Sequence, residues 1–267
     1  MIRQLGKEDN EIVMSLLKKE PDLNLFLLGD IYNYGYDNDF QKVWGEFTQG
    51  ELTAVLLKYH SNFIFYSASD FFAPGFASLM KIWKARTLGG KASAIDVFRK
   101  YFGVKPVSPK NLCKLDKEHF KKPRINDKIV KKANPENINE LLDPIMALYD
   151  KIEEFKINPE RDNIKKTVID GLGRIFYIEE SSEIIAMAQT TAENHSSAMI
   201  ISVCTDPSRR SKGYATKCLS RLCGELLSEG KTLCLIYDNI EAGKIYERLG
   251  FEVIEQWSFM EIEPAFD

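Results

Sequence analysis

The chain is poor in the residues that build metal sites and disulfide frameworks. It has 3 histidines, His60, His119 and His195, widely spaced, so a protein metal site is not expected. Its 5 cysteines, Cys113, Cys204, Cys218, Cys223 and Cys234, are odd in number and include no Cys-x-x-Cys. Most lie in apolar patterned stretches, where cysteine acts as a small buried hydrophobe. No uncharged apolar run approaches the roughly 20 residues that span a bilayer. The opening Met1–Asn10 has no apolar stretch of an export signal. A cytoplasmic, soluble chain with no membrane partner is therefore expected. An excess of positive charge is missing too: 36 Lys+Arg against 39 Asp+Glu leave a net charge of -3. Sequence-independent grip on nucleic acid needs lysine and arginine against phosphates, so no nucleic-acid partner is expected.

What is present is a globular composition, 44% hydrophobic and 28% charged over 267 residues. That is enough chain for one or two domains with real cores. Hydrophobic periodicity and turn signals divide it into two blocks with one plan, β–α–α–β–β–β–α–β–α–β. Antiparallel hairpins beside βαβ crossovers predict an α/β fold of the α+β kind, a mixed sheet flanked by helices. The polar stretch His119–Asp127, with Pro123, reads as the join, giving domains over 1–122 and 128–267. The second block is expected to open on a strand at Lys128–Lys132 and to close on two strands, Phe251–Ile254 and Trp257–Ile262.

The chemistry is written after the third central strand of the second block. Val203-Cys-Thr205-Asp-Pro207-Ser-Arg-Arg210-Ser-Lys-Gly213-Tyr-Ala215-Thr216 runs from an apolar strand through a basic, glycine-bearing loop into a helix. Such a junction aims backbone N–H groups and the positive end of a helix dipole at one spot, a ready site for phosphate or pyrophosphate. Gly213 lets the backbone approach an anion, and Arg210 and Lys212 add charge.

Pro207-x-x-Arg210-x-Lys212-Gly213-Tyr214-Ala215 resembles the cofactor signature of the GNAT superfamily, the acetyl-CoA-dependent N-acetyltransferases. Downstream, Asn239, Ala242, Ile245-Tyr246 and Leu249-Gly250-Phe251 resemble its second signature. The likeness covers about residues 128–263. The first block shares the element order but carries Ser67–Gly75, without arginine, at the corresponding loop. The whole therefore resembles a tandem GNAT-like acyl-CoA N-acyltransferase fold whose N-terminal copy has degenerated.

The resemblance implies roles. Acetyl-CoA would be the co-substrate, with no metal. Arg210, Ser211, Lys212, Gly213, Tyr214, Ala215 and Thr216 would cradle it, the backbone of Val203, Cys204 and Thr205 would bond its pantetheine arm, and Asn239 would contact it while capping a helix. Tyr246 matches the residue that protonates the departing thiolate, although an isolated tyrosine beside Ile245 and Leu249 also reads as core. The strand acid that some relatives use as base is absent from Ala198–Ser202, and Glu179, Glu193, His195 or a water chain stay open as substitutes. Ser211 stands where glycine is common. The acceptor implied is an amine of a small molecule or peptide, and a homodimer is compatible. The competing readings are a non-catalytic acyl-CoA-binding or sensing module, an acyltransferase for longer acyl groups, and a structural tandem domain that binds no cofactor.

Overall fold

The computed structural model describes residues 1–153 and 161–263. The chain forms two compact units, Met1–Leu112 with Val253–Asp267, and Cys113–Glu252.

The first unit follows the predicted order. Strand β1 (Ile2–Gln4) leads to helices α1 (Asn10–Leu17) and α2 (Leu25–Tyr34), then to strands β2 (Gln41–Thr48), β3 (Glu51–Tyr59) and β4 (Asn62–Ser67). Helix α3 (Ala73–Ile82), strand β5 (Thr87–Lys91), helix α4 (Ala92–Phe102) and strand β6 (Lys110–Leu115) follow. Its sheet runs β1-β2-β3-β4-β5-β12, where β12 (Glu252–Glu261) is the last strand of the chain. Only β4 and β5 pair in parallel; β12 pairs antiparallel with β5 from Trp257↔Lys91 to Glu261↔Thr87. Alternation supplies the core: Phe63, Phe65, Leu88 and Met260 face α3 and α4 through Phe76, Met80, Ile95 and Phe98.

The second unit contains β7 (Lys131–Lys132), α5 (Ile138–Asp150), α6 (Arg161–Ile169), β8 (Ile175–Glu180), β9 (Glu183–Thr191) and β10 (Ser197–Thr205). Helix α7 (Tyr214–Ser228), strand β11 (Thr232–Tyr237) and helix α8 (Ile240–Leu249) complete it. The sheet order is β11-β10-β9-β8-β7, parallel only at β10/β11. Both faces of the sheet are covered. Phe176, Ile178, Ala198, Ile200, Leu233 and Leu235 pack on α7 and α8, while Ile175, Tyr177, Ile184 and Met187 pack on α5 and α6. Cys113 and Leu115, at the end of β6, belong to the α7/α8 core.

Two expectations change in detail. The opening strand of this repeat shortens to Lys131–Lys132, and the two terminal strands are one ten-residue strand, β12. The strand runs unbroken through the polar Glu255-Gln256 step, and its pairing with β5 begins at Trp257. The stretch read as a linker is anchored at its start: Lys121 N–H donates to the Leu249 carbonyl at 2.9 Å. Gly250 permits this, because it ends α8 with φ +100° and any Cβ there would collide with the His119 carbonyl.

Candidate acyl-CoA site

Strands β10 and β11 are in register from Ser197↔Thr232 to Ile200↔Leu235, and the pairing stops there. β10 continues to Thr205, held on its other side by β9 through Cys204↔Met187 and Thr205↔Ala186. Between Ile201 and Cys204 the β9 register shifts, and Ser202 takes φ +52°, a β-bulge that bends the strand. The backbone of Val203, Cys204 and Thr205 therefore faces away from any paired neighbour on the β11 side, an edge that an extended chain can join. The Cys204 side chain points into the α5/α6 core, and burial pushes its thiol up to about 12. What Cys204 offers at the site is its backbone.

The loop that follows is held by a residue the sequence reading passed over. The Asp206 carboxylate accepts from Ser208 N at 2.9 Å and from Ser208 Oγ at 2.7 Å, capping the short turn Pro207–Arg209. It also pairs with Lys151 Nζ at 2.9 Å. Lys151 and Ser208 together hold this carboxyl down at about 2. The signal for the cap was present, Asp206-Pro207-Ser208 being an Asx-turn spelling. The lysine lies 55 residues away and no local pattern announces it.

Past the turn the backbone turns left-handed twice, at Ser211 (φ +66°) and Gly213 (φ +74°). The sequence-level concern about Ser211 is thus met by geometry: serine stands in a glycine-favouring conformation, a local cost of about 1–2 kcal/mol. A Cβ on Gly213 would meet no protein atom within 4 Å, so the space above it is open. α7 starts immediately after Gly213 with no side-chain cap. The N–H groups of its first turn, Tyr214, Ala215 and Thr216, have no intrahelical acceptor and point out of the helix end. Arg210 and Lys212 have no ion-pair partner among the described residues, whereas Arg209 pairs with Glu180 at 3.2 Å. The Tyr214 hydroxyl donates to Glu180 at 3.1 Å, so its side chain is committed to β8 and only its N–H serves the loop.

The second motif lies on α8 and its cap. Asn239 Oδ1 accepts from Glu241 N at 2.9 Å and Ala242 N at 3.2 Å, capping α8. Tyr246, one side of α8, is 7% exposed, with its ring 5.3 Å from Tyr237 and 6.0 Å from Phe251. Burial raises its phenol above the ordinary range, with the nearby Cys113, Cys204 and Tyr237 adding to the shift. The hydroxyl thus stays protonated at neutral pH. That electrostatic neighbourhood joins α8 to β10 at Cys204 and to the end of β11, where the strands part.

The residues left open as bases are placed as follows. Glu193 pairs with Arg174 at 3.2 Å and with Lys231 at 3.1 Å; it and His195 sit in the β9–β10 turn, before Ser197. The eight-residue step from Ser197 to Thr205 spans about 26 Å of strand, so both are at the wrong end of β10. Glu179, on β8, pairs with Lys131 at 3.0 Å. Among the described residues no cluster of His, Cys, Asp or Glu is placed to hold a metal ion. No helix among them is long and apolar enough to cross a membrane.

The residues present suit a pyrophosphate-bearing cofactor. Open space over Gly213, unpaired α7 N–H groups and two uncommitted cations meet beside an unpaired strand edge.

Curated proteins give no match. Among solved structures, a tandem GNAT protein from the clavulanic acid biosynthesis pathway aligns over 100% of this chain and 99% of its own, with TM-score 0.62 and 13% identity. A Drosophila protein aligns over 98% of both chains with TM-score 0.69 and 12% identity. A GCN5-related N-acetyltransferase from Sphaerobacter thermophilus aligns over 100% of this chain and 97% of its own, with TM-score 0.64 and 15% identity. At such identities the likeness is one of fold, a tandem GNAT fold. The family model described as GNAT acetyltransferase matches residues 103–260, more than half of the 267. The chain belongs to the GNAT acetyltransferase family.

Proposed function

We propose that this protein transfers an acetyl group from acetyl-CoA to an amine of a small molecule or peptide, and that Cys113–Glu252 carries the site. The observation that supports this reading most is the parting of β10 from β11 after Ile200↔Leu235, directly ahead of the left-handed Ser211–Gly213 loop. A merely structural βαβ unit has no use for an unpaired, bulged strand end opening onto an uncapped helix.

When bound, acetyl-CoA supplies an activated thioester and a thiol leaving group. This chain's residues do the rest. Arg210, Lys212 and the N–H groups of Gly213–Thr216 would neutralise the cofactor's phosphates. The Val203–Thr205 backbone would hold the pantetheine arm as an added strand, and an N–H there would polarise the carbonyl. Tyr246 Oη would return a proton to the departing sulfur. A phenol raised by burial is a weaker acid than the ordinary one near 10, so this transfer is favoured only where the thiolate is itself poorly solvated. The amine must arrive neutral, and no buried, unpaired carboxylate stands on β10 to deprotonate it. Solvent-borne proton loss fits the residues present, and activity should rise as pH approaches the acceptor amine's own pKa.

The test is thiol release from acetyl-CoA against a panel of amines, with longer acyl-CoA donors in parallel. Amine-dependent release supports the enzyme. Tight CoA binding with no turnover on any amine would instead make the protein a binding module.

A further inference from the structure

The side chains of β10 change faces in mid-strand. Ala198 and Ile200 pack on α7 and α8, and a regular strand would keep even-numbered residues there. Past Ile201 the odd-numbered Val203 takes that face instead, and Cys204 packs in the α5/α6 core. The bulge makes the switch: Ile201 pairs with Gln189 and Cys204 with Met187, so Ser202 and Val203 together oppose Ala188. It also decides which N–H groups of Val203–Thr205 point to the unpaired edge, because backbone direction alternates along a strand. All of this depends on Ser202 at φ +52°, a left-handed conformation that serine seldom keeps unless its surroundings impose it.

A buried hydroxyl supplies that constraint. Tyr149, near the end of α5, is 2% exposed and donates to Gln189 Oε1 at 3.2 Å. Gln189, also buried, belongs to the last regular pair before the bulge. The Ser202 side chain hydrogen-bonds the same phenol oxygen. Since the phenol's one proton goes to Gln189, the serine hydroxyl is the donor. The chain Ser202–Tyr149–Gln189 thus ties both strands at the bulge to α5, inside the core that Ile138, Ile145 and Met187 help build. What this hydroxyl adds over a phenyl ring is a directional hold on the bulge.

We propose that Tyr149 is a positioning residue for acyl-CoA: through Ser202 it holds the β10 bulge, and the bulge presents the Val203–Thr205 edge to the pantetheine arm. The inference rests on the reading that Cys113–Glu252 binds acyl-CoA. Tyr149 itself touches no reacting atom. Burial raises its phenol above the ordinary range, so the hydroxyl keeps its proton, and its bond to Gln189, at neutral pH.

Calorimetry on the full chain with two probes tests this. Acetyl-CoA would use both the loop and the strand edge, whereas 3′-phospho-ADP, the nucleotide end of CoA, would use the loop alone. Tyr149→Phe should weaken acetyl-CoA binding about tenfold or more and leave 3′-phospho-ADP within about twofold. Adding Ser202→Gly, which holds a left-handed backbone without help, should bring acetyl-CoA back to within about threefold of wild type. The proposal is overturned if Tyr149→Phe binds acetyl-CoA as wild type does, if both probes weaken alike, or if the glycine restores nothing. Should Tyr149→Phe fail to fold, Ser202→Ala removes the other end of the same hydrogen bond, and the same split between probes is required of it. Affinity is read without turnover. A wild-type chain that binds acetyl-CoA yet acetylates no amine would therefore count against the enzyme, while the two probes still decide the role of Tyr149.

Discussion

At the scale of single residues, the loop offers two left-handed positions with opposite expectations. At Gly213 any side chain incurs the φ +74° strain and also enters the open space above the loop. Gly213→Val should raise the dissociation constant for CoA more than tenfold, above about 1.4 kcal/mol, read by calorimetry. Unchanged affinity would remove the loop from the binding site. At Ser211 the reverse change relieves strain. Ser211→Gly should leave CoA binding intact and shift the denaturant midpoint upward or not at all, the gain offset in part by glycine's larger unfolded-state entropy. Tyr246→Phe separates proton donor from core residue. As a donor, its loss lowers kcat about 10²–10⁴-fold with CoA affinity preserved, and the loss shrinks with donors whose thiol is more acidic. As a packing residue only, the variant melts earlier and keeps its kcat per folded molecule.

At the scale of elements, two aspartates shape stability against pH with opposite signs. Asp206 fastens the loop between β10 and α7, and its folded carboxyl, at about 2, lies below the ordinary 3.8. Its contribution is therefore complete above about pH 4 and is lost as pH falls through 2. Solvent around Lys151, 41% exposed at its side chain, holds the value to about 1 kcal/mol. Asp206→Asn should lose that amount at pH 6 and little at pH 2 in denaturant titrations. Asp30 on α2 lies the other way, raised to about 7 from 3.8. It costs nothing while protonated in both states, and the cost grows as pH rises from about 4 to about 7. Asp30→Asn should stabilise the protein at pH 8 by about 2–4 kcal/mol and not at pH 4. A variant whose gain is the same at both pH values would show that charge burial is not the cause.

At the scale of the whole molecule, the two repeats share element order and differ where a cofactor would sit. β4 runs against β3 in unbroken register from Ala54↔Ser67 to Tyr59↔Asn62, without the bulge of β10. Beyond it Phe71 packs 4.6 Å from Phe65 and stacks on Phe98 at 5.4 Å, where the other repeat is open. The expectation is one CoA per chain by calorimetry; a stoichiometry of two would mean the N-terminal unit also holds a site. The chain trace carries its own prediction. Cutting at the polar join would leave β12 without β5 and remove Cys113 and Leu115 from the second unit's core. A fragment starting near Asp127 should thus aggregate through its exposed strand edge, as light scattering would show, although the cofactor residues are all on it.

The element order, the apolar faces and the two motif segments were legible from the sequence, because period, turn residues and caps act over a few residues. Ser211 shows how far that reach extends: its departure from glycine was visible, and its left-handed backbone is the structural counterpart. Tertiary structure alone decided which strands part and which join. The separation of β10 from β11, the pairing of Lys151 with Asp206 across 55 positions and the return of β12 to β5 arise from contacts between distant segments. Local propensity carries no record of such partners, since they are selected only when the folded chain brings them together.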